Sequence, residues 1–276
     1  MDLNLYSDWL ELARPNVVLG RVRVALFDFD GTLSVIRRGW EKIMIALMVE
    51  ALDPATEQRA ALEAEVAAYV DRSTGILTIR QMQWLEAAVR SGPHADRALS
   101  AGQYKRIYNE RLLQPVRARL AQLGPGSAAR DEWMIAGARD FLARLAARGV
   151  PLFLASGTDQ EYVQAEAAEL GVTDFFAGRI SGARGESTAD SKEVVIQRIL
   201  DEHRLSGPEL LVVGDGPVEI EFARRVGAVA LGLASDEERR AGLNPRKRQR
   251  LLSAGADLIT GDFSHAEQLV ELLVAS

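Results

Sequence analysis

Phe27-Asp28-Phe29-Asp30-Gly31-Thr32-Leu33 places two carboxylates one residue apart, directly after the apolar run of residues 22–27. The run predicts a buried strand, and Gly31-Thr32 predicts that the chain leaves it sharply. Carboxylates at the carboxyl end of such a strand point into the crevice where open α/β sheets bind ligands. One aspartate can attack phosphorus while the other moves a proton, with a hard cation between them. The alternative is a strand that simply turns through an Asp-Gly pair.

The composition is that of an ordinary soluble globular protein. The chain has 276 residues, of which 47% are hydrophobic and 26% charged. Its net charge of −6 argues against a general nucleic-acid binder, and the absence of cysteine excludes disulfides and thiolate metal sites. No apolar stretch reaches the ~18 residues of a membrane span, and the N-terminus lacks the pattern of a signal peptide. We therefore expect a cytoplasmic enzyme with no membrane or nucleic-acid partner, its oligomeric state being left open.

A run of basic residues, Arg246-Lys247-Arg248-Gln249-Arg250, stands out near the C-terminus. It follows Asn244-Pro245, which is typical of an N-cap and a first helical residue. A solvated helix face and a functional basic patch both fit the run. The first is favoured because most charge runs on helices are solvated.

The chain alternates short β-rich runs with helical stretches, which predicts a parallel sheet with crossover helices. The expected strands are 22–28, 150–155, 210–214, 229–233 and 257–260. Residues 1–20 are expected to form a short helix that Pro15 ends.

A helical segment interrupts this alternation. Helical patterns occupy residues 38–52, 54–71, 78–91 and 102–122, with no convincing strand among them. Residues 123–127, Leu-Gly-Pro-Gly-Ser, predict a hinge back to the sheet. We therefore predict an α/β core of residues 1–33 and 131–276, with an inserted helical domain of residues 34–130.

Three further segments place polar residues at strand or helix ends. Ser156 ends an apolar run and can hydrogen-bond a phosphate oxygen, although a helix N-cap is an equal alternative. Lys192 begins a predicted helix, where the dipole disfavours a cation unless an anion lies beside it; alone, it is more typical of a surface lysine. Asp215 ends another buried strand, and Glu219 lies four residues later on the first turn of the next helix. Such oxygen ligands suit Mg²⁺, although an Asp-Gly turn with a favourable helix-start glutamate is an equal alternative.

Together these segments resemble the haloacid dehalogenase superfamily. The first motif, DxDGT, matches residues 28–32, and the strand-terminal hydroxyl of the second matches Ser156. The lysine of the third matches Lys192, and the acidic fourth motif matches Gly214–Glu219, with Glu219 where the family usually has Asp. The resemblance implies a Rossmann-like parallel sheet with helices on both faces, and the inserted helices resemble the family's cap domain.

The resemblance also implies residue roles. Asp28 is expected to be the nucleophile that forms an aspartyl-phosphate, and Asp30 the general acid and base. Ser156 and Lys192 are expected to hold the transferring phosphoryl group. The metal set is expected to comprise Asp28, the backbone carbonyl of Asp30, Asp215 and nearby Glu219, with Mg²⁺ as cofactor. The expected substrate-binding residues are Gly31, Thr32, Arg37, Ser156, Gly157 and Lys192.

The function implied is a phosphatase acting on a small phosphorylated metabolite, either a sugar phosphate or a phosphoglycolate-like acid. Asp30 favours phosphoryl chemistry over dehalogenation, because a departing halide needs no proton. A phosphomutase similar to β-phosphoglucomutase and a non-enzymatic regulatory module remain as alternatives. Arg37 and Arg38 can reach a second anionic group, although solvent-exposed arginines are the favoured interpretation. Cap residues Trp40, Tyr69, Gln81, Trp84 and Tyr104 are more typical of a packed core than of a substrate platform.

Overall fold

A seven-stranded sheet forms the centre of the protein. The structure, a computed structural model, describes residues 8–53, 55–124, 126–185 and 190–274. The strands are β1 Leu10–Leu12, β2 Val24–Phe27, β3 Leu152–Asp159, β4 Ile180–Ala183, β5 Leu210–Gly214, β6 Val229–Leu233 and β7 Leu258–Thr260. Their order is β1-β7-β6-β5-β2-β3-β4, and every neighbouring pair is parallel except β1 and β7. The predicted parallel sheet is therefore confirmed.

Helices cover both faces of the sheet and form the inserted segment. They are α1 Trp40–Leu52, α2 Arg59–Arg72, α3 Thr78–Arg90, α4 Ala101–Leu120, α5 Ser127–Asp131, α6 Ala138–Ala147, α7 Gln160–Glu169, α8 Thr173–Phe176, α9 Lys192–His203, α10 Pro217–Val226, α11 Pro245–Ala254 and α12 Ala266–Leu273. Among the described residues, no helix combines the length and apolar composition that a membrane crossing requires.

The buried strand β2 shows why helices lie on both faces. Its side chains alternate, so Ala25 and Phe27 pack on one side, and Val24 and Leu26 on the other. The first side meets α6 and α12, and the second meets α9, α10 and α11. A parallel strand that is buried on both faces is expected to be apolar throughout, as β2 and β5 are.

The N-terminal prediction was wrong in its described part. Residues 10–12 form an edge strand that runs antiparallel to β7, with Leu10 opposite Thr260. Leu10 and Leu12 are spaced two apart, which suits a strand as well as a helix face. Residues 1–7 lie outside the described residues. The short strand β4 was also missed, because its sequence Ile-Ser-Gly-Ala carries little β signal.

The inserted segment contains α1 to α4, which match the four helical patterns in the sequence. No strand occurs in its described part, residues 34–53, 55–124 and 126–130. The all-helical character is thus as expected, while the domain limits at residues 33 and 131 stay a prediction. The expected hinge includes Pro125, which lies outside the described residues.

Candidate active site

The site lies where three neighbouring strands end. Strand β2 is hydrogen-bonded to β5 on one side and to β3 on the other. Asp28 therefore follows β2 between Asp215, which follows β5, and Ser156 near the end of β3. Asp28 N donates to Val213 O at 2.9 Å, which ties the start of the loop after β2 to β5. Parallel topology thus brings together three residues that are far apart in the sequence.

Lys192 is the buried cation at the centre of this cluster. Its Nζ lies 2.9 Å from Asp28 Oδ1 and 2.9 Å from Glu219 Oε2, and its side chain is 2% exposed. Burial by itself lowers the pKa of this ammonium, but Asp28 and Glu219 outweigh burial and raise the pKa above its usual value. The surface-lysine alternative is wrong, and the anionic neighbours that the helix start requires are present.

The two aspartates of the first motif have different partners. Burial raises the pKa of Asp28 well above its usual value, and Glu219 and Asp215 raise it further against the opposing effect of Lys192. Burial also raises the pKa of Asp30, against opposition from Arg37 and Thr158. A carboxyl group with a raised pKa retains its proton more readily, which suits a general acid.

Thr158 was not predicted, although it holds Asp30 directly. Its Oγ1 donates to Asp30 Oδ2 at 2.9 Å, and Ser156 Oγ lies 3.4 Å from the same oxygen. The other carboxylate oxygen, Asp30 Oδ1, is buried without a hydrogen-bond partner in the part of the chain that the structure describes. The sequence signal for Thr158 was its position two residues after Ser156 in an extended strand, which places both side chains on one face.

Ser156 faces the site and is not a helix N-cap. Helix α7 begins at Gln160, and Ser156 Oγ instead accepts a hydrogen bond from Thr158 N at 3.1 Å. The next residue, Gly157, lies where the inserted segment crosses the strand end. A Cβ built on Gly157 comes within 2.4 Å of Ile76 O, so this close approach requires glycine.

Asp215 is held from the side of α11. Lys247 Nζ lies 2.7 Å from Asp215 Oδ2 and 2.6 Å from Glu237 Oε1, and Arg250 Nη2 donates to Asp215 O at 2.7 Å. Burial raises the pKa of Asp215, but Lys247 and Arg250 outweigh burial, so the pKa lies below its usual value. The favoured interpretation of residues 246–250 as a solvated helix face is therefore wrong for Lys247 and Arg250. Asn244 does cap the helix, as predicted, by accepting from Arg246 N and Lys247 N.

Glu219 makes two contacts within the protein. Its Oε2 accepts from Lys192 and its Oε1 accepts from Gly216 N at 2.9 Å, which caps the start of α10. One ligand oxygen each from Asp28, Asp215 and Glu219 lies within 4.8 Å of the others. Lys192 contacts Asp28 and Glu219, and Lys247 contacts Asp215 from the other side. Three buried carboxylates this close together are hard oxygen donors of the kind that hold a divalent cation.

The remaining predicted substrate residues lie in or just after the loop that follows β2. Gly31 has φ +75° and a Cβ there would meet Asp215 Oδ2 at 2.5 Å, so the turn requires glycine. Thr32 is fully buried, and neither Gly31 nor Thr32 belongs to the cavity wall. Arg37 does line the cavity but is only 5% exposed, so the solvent-exposed interpretation is wrong for it. Its Nη2 donates to Glu166 Oε1 at 2.6 Å, and its Nε lies 3.8 Å from Asp30 Oδ1.

A small cavity opens between the strand ends and the inserted helices. Its volume is about 60 Å³, and since a water needs roughly 10–15 Å³ of such space, it suits a compact ligand. The core side of its wall is formed by Asp28, Asp30, Ser156, Gly157, Thr158, Asp159, Lys192 and Asp215. The inserted segment contributes Arg37, Trp40, Thr74, Gly75, Ile76, Thr78, Gln81, Tyr108, Asn109 and Leu112. Of the five cap residues singled out in the sequence, Trp40 and Gln81 reach the cavity, while Tyr69 stacks on Trp84 and Tyr104 is buried in the core.

Comparison with known proteins is consistent with this arrangement. A family model described as haloacid dehalogenase-like hydrolase matches residues 22–227, well over half of the chain. A phosphoglycolate phosphatase of Pectobacterium atrosepticum is 25% identical over 215 residues, covering 78% of this chain and 81% of that protein. A phosphoglycolate phosphatase of Yersinia pestis is 25% identical over 221 residues, covering 77% of this chain and 81% of that protein.

Two solved structures support the fold. A predicted phosphoglycolate phosphatase from Haemophilus somnus superposes with a TM-score of 0.58 at 17% identity, covering 92% of this chain and all of that one. A β-phosphoglucomutase from Clostridium difficile has a TM-score of 0.53 at 12% identity, covering 88% of this chain and 92% of that one. At these identities the likeness concerns the fold alone.

Proposed function

Because this chain belongs to the haloacid dehalogenase-like hydrolases, we propose that it is a Mg²⁺-dependent phosphatase of a small phosphorylated metabolite. The substrate is a sugar phosphate or a phosphoglycolate-like acid, and the reaction passes through an aspartyl-phosphate. One observation carries the proposal: buried Lys192 contacts Asp28 at 2.9 Å, next to an Asp30 held by Thr158. A binding module has no need for two neighbouring aspartates with such different partners.

The first half-reaction uses both aspartates. A carboxylate oxygen of Asp28 forms a bond to phosphorus while the bond from phosphorus to the leaving oxygen breaks. Asp30 gives its proton to that oxygen, and its burial and raised pKa suit a donor at this step. Lys192 and Ser156 hold the phosphoryl oxygens, so that their charge is offset as the bond to Asp28 forms.

The second half-reaction returns the nucleophile. Asp30, now ionised, accepts a proton from a water molecule, which attacks phosphorus and displaces Asp28. Asp28 recovers its carboxylate, and inorganic phosphate is released. The hydroxyl of Thr158 holds Asp30 at 2.9 Å and so keeps the same carboxylate in place for both steps.

The metal site is proposed from the carboxylates of Asp28, Asp215 and Glu219, with the backbone carbonyl of Asp30 as a further expected ligand. When bound, Mg²⁺ offsets the repulsion between the Asp28 carboxylate and a phosphate dianion. Glu219 already accepts from Lys192 and Gly216, so we assign it to the edge of the metal set.

Phosphate release from a panel of phosphomonoesters, with Mg²⁺ and with a chelator, tests the proposal. We expect turnover that the chelator abolishes. Rapid acid quenching with a ³²P-labelled ester is expected to leave a label on the peptide containing Asp28 that hydroxylamine removes, because acyl phosphates react with hydroxylamine. Isomerisation of a hexose phosphate without phosphate release would instead indicate a mutase. If no ester reacts, the proposal that the protein is a phosphatase is rejected.

A further inference from the structure

The cavity wall beside Asp30 carries charges that are already balanced within the protein. Asp30 must reach the leaving oxygen to protonate it, so the leaving group lies on the Asp30 side of phosphorus. The residues that hold Asp30 there are Thr158 at 2.9 Å and Arg37 at 3.8 Å, and Asp159 follows Thr158 in the chain. The charges on this part of the wall therefore determine which leaving groups the cavity accepts.

The basic side chains of the described cavity wall are Lys192 and Arg37, against four aspartates. Lys192 is shared by Asp28 and Glu219. Arg37 faces the buried carboxylate of Glu166 through its Nε and Nη2, so the pair adds hydrogen-bond donors but no net charge. Neither residue supplies an unbalanced positive charge for a second anionic group of the substrate.

Asp159 adds a carboxylate to the same wall. Its Oδ1 pairs with Lys105 Nζ and its Oδ2 accepts from Asn109 Nδ2 at 3.0 Å, both from α4 of the inserted segment. The Asp159 side chain is 18% exposed, and unlike Lys105 the residue lines the cavity. The pair with Lys105 is neutral overall, but only its carboxylate lines the cavity. A carboxylate or second phosphate on the leaving group would therefore meet the like charge of Asp159, which is unfavourable.

The inserted segment offers uncharged polar groups to the same cavity. Trp40, Gln81, Tyr108 and Asn109 contribute an indole, two amides and a phenol, all of which pair well with hydroxyl groups. Building on the proposed phosphatase function, we infer that the substrate is a phosphomonoester of a small, uncharged, hydroxylated alcohol, such as a polyol or sugar. The carboxylate that the ion pair of Asp159 with Lys105 presents to the cavity disfavours esters whose leaving group carries a second acid. This selects the sugar phosphate over the phosphoglycolate-like acid.

Matched esters test this inference, because they differ only in the disputed group. 2-Hydroxyethyl phosphate and 2-phosphoglycolate differ by a CH₂OH in place of a carboxylate, and so do glycerol 3-phosphate and 3-phosphoglycerate. The measured quantity is the ratio of kcat/KM for the alcohol to kcat/KM for the acid in each pair. We expect a ratio of roughly 10 or more, since unfavourable like-charge contact in the transition state lowers kcat/KM for the acid.

Two substitutions that break the same ion pair sharpen the test. Asp159→Asn removes the carboxylate and frees the ammonium of Lys105, so we expect the ratio to fall about tenfold. Lys105→Met leaves the Asp159 carboxylate without its counter-charge, so we expect the ratio to rise. Damage to the packing of α4 against the core changes both variants alike and cannot move the ratio in opposite directions.

The outcomes separate this inference from the proposed function. Preference for the acid of either pair, or a shift of both variants in the same direction, overturns the inference and leaves the phosphatase standing. If the protein hydrolyses p-nitrophenyl phosphate but none of the four matched esters, the inference is likewise overturned and the phosphatase function stands. A folded protein that releases phosphate from no ester, p-nitrophenyl phosphate included, overturns both.

Discussion

Two groups of charges meet at Asp215, and they are built in different ways. The sheet-edge cluster consists of Asp28, Asp30, Asp215, Lys192 and Glu219, and each member stands at a strand end or in the first turn of a helix. The α11 cluster consists of Lys247, Arg250, Glu237 and Asp71, and it forms where α11 packs between the core and the inserted segment. The members of the first cluster other than Glu219 line the cavity, while the second cluster contacts Asp215 from the side of α11. Asp215 is therefore held in place by a second set of residues that does not line the cavity.

The two clusters also differ in exposure. The ion pairs of Lys192 involve side chains that are at most 7% exposed, so removing one partner leaves a charge that solvent screens poorly. Lys247 is similarly buried against Asp215, whereas Asp71 is 29% exposed where it meets Arg250. We therefore expect the effects of substitution to decrease from the sheet edge through α11 to the cap.

The largest effect is expected at the proposed nucleophile. Asp28→Asn removes the negative oxygen that attacks phosphorus, and kcat should fall by a factor on the order of 10⁴ or more. Phosphate release at saturating Mg²⁺ measures this. Asp140→Asn, which alters an exposed pair with Arg144 on α6, is the matched control and should retain full activity. If Asp28→Asn retains more than a tenth of the activity, Asp28 is not the nucleophile.

The second prediction separates stability from catalysis at Lys192. Lys192→Met leaves Asp28 and Glu219 buried without their shared cation, so the free energy of unfolding should fall by about 3–5 kcal/mol. Adding Glu219→Gln removes one of the two unpaired charges, so the double variant should regain part of that loss. Both variants should lack phosphatase activity. Urea denaturation provides the measurement, and a double variant less stable than the single one would contradict the electrostatic explanation.

The sheet-edge cluster could be predicted because a parallel sheet brings the carboxyl ends of its strands to the same edge. Once β2, β3 and β5 are recognised as neighbouring strands, their carboxyl ends must lie together, and Asp28, Ser156 and Asp215 with them. Each of these residues directly follows or ends an apolar run, so a local pattern reveals it. Lys192 lies on a helix start, and it was the family motif rather than the local pattern that placed it here.

The α11 cluster could not be predicted in the same way. Nothing local to Lys247 distinguishes it from Arg248, which pairs with Glu11 at the partly exposed edge of the sheet. Their roles separate only because α11 turns Lys247 toward Asp215, 32 residues earlier in the chain. The edge strand β1 is similar, since its pairing partner β7 lies about 250 residues away and its own three residues carry no decisive period. Long-range docking of this kind leaves no signal within a short window of sequence.

The third prediction tests whether α11 tunes the proposed metal site. Lys247→Met removes the ammonium that lies between Asp215 and Glu237 and holds the Asp215 carboxylate in place. We therefore expect Mg²⁺ affinity to weaken about 10–100-fold, as when other groups that orient metal ligands are removed. Titration calorimetry with Mg²⁺ measures binding independently of turnover. Arg248→Met, on the same helix but paired with Glu11, is the control and should bind Mg²⁺ normally. Tighter binding by Lys247→Met would mean that the ammonium competes with the metal instead of orienting its ligand.

The smallest effect is expected where α11 meets the inserted segment. Asp71→Asn weakens a partly exposed contact with Arg250, so the free energy of unfolding should fall by no more than about 1 kcal/mol and the loss should shrink in high salt. Arg250 keeps its hydrogen bond to Asp215 O, so kcat should stay close to that of the parent protein. Urea denaturation at two salt concentrations, with steady-state kinetics alongside, measures both quantities. A tenfold fall in kcat with unchanged stability would contradict the separation of the two clusters, because Asp71 would then act on Asp215 through Arg250.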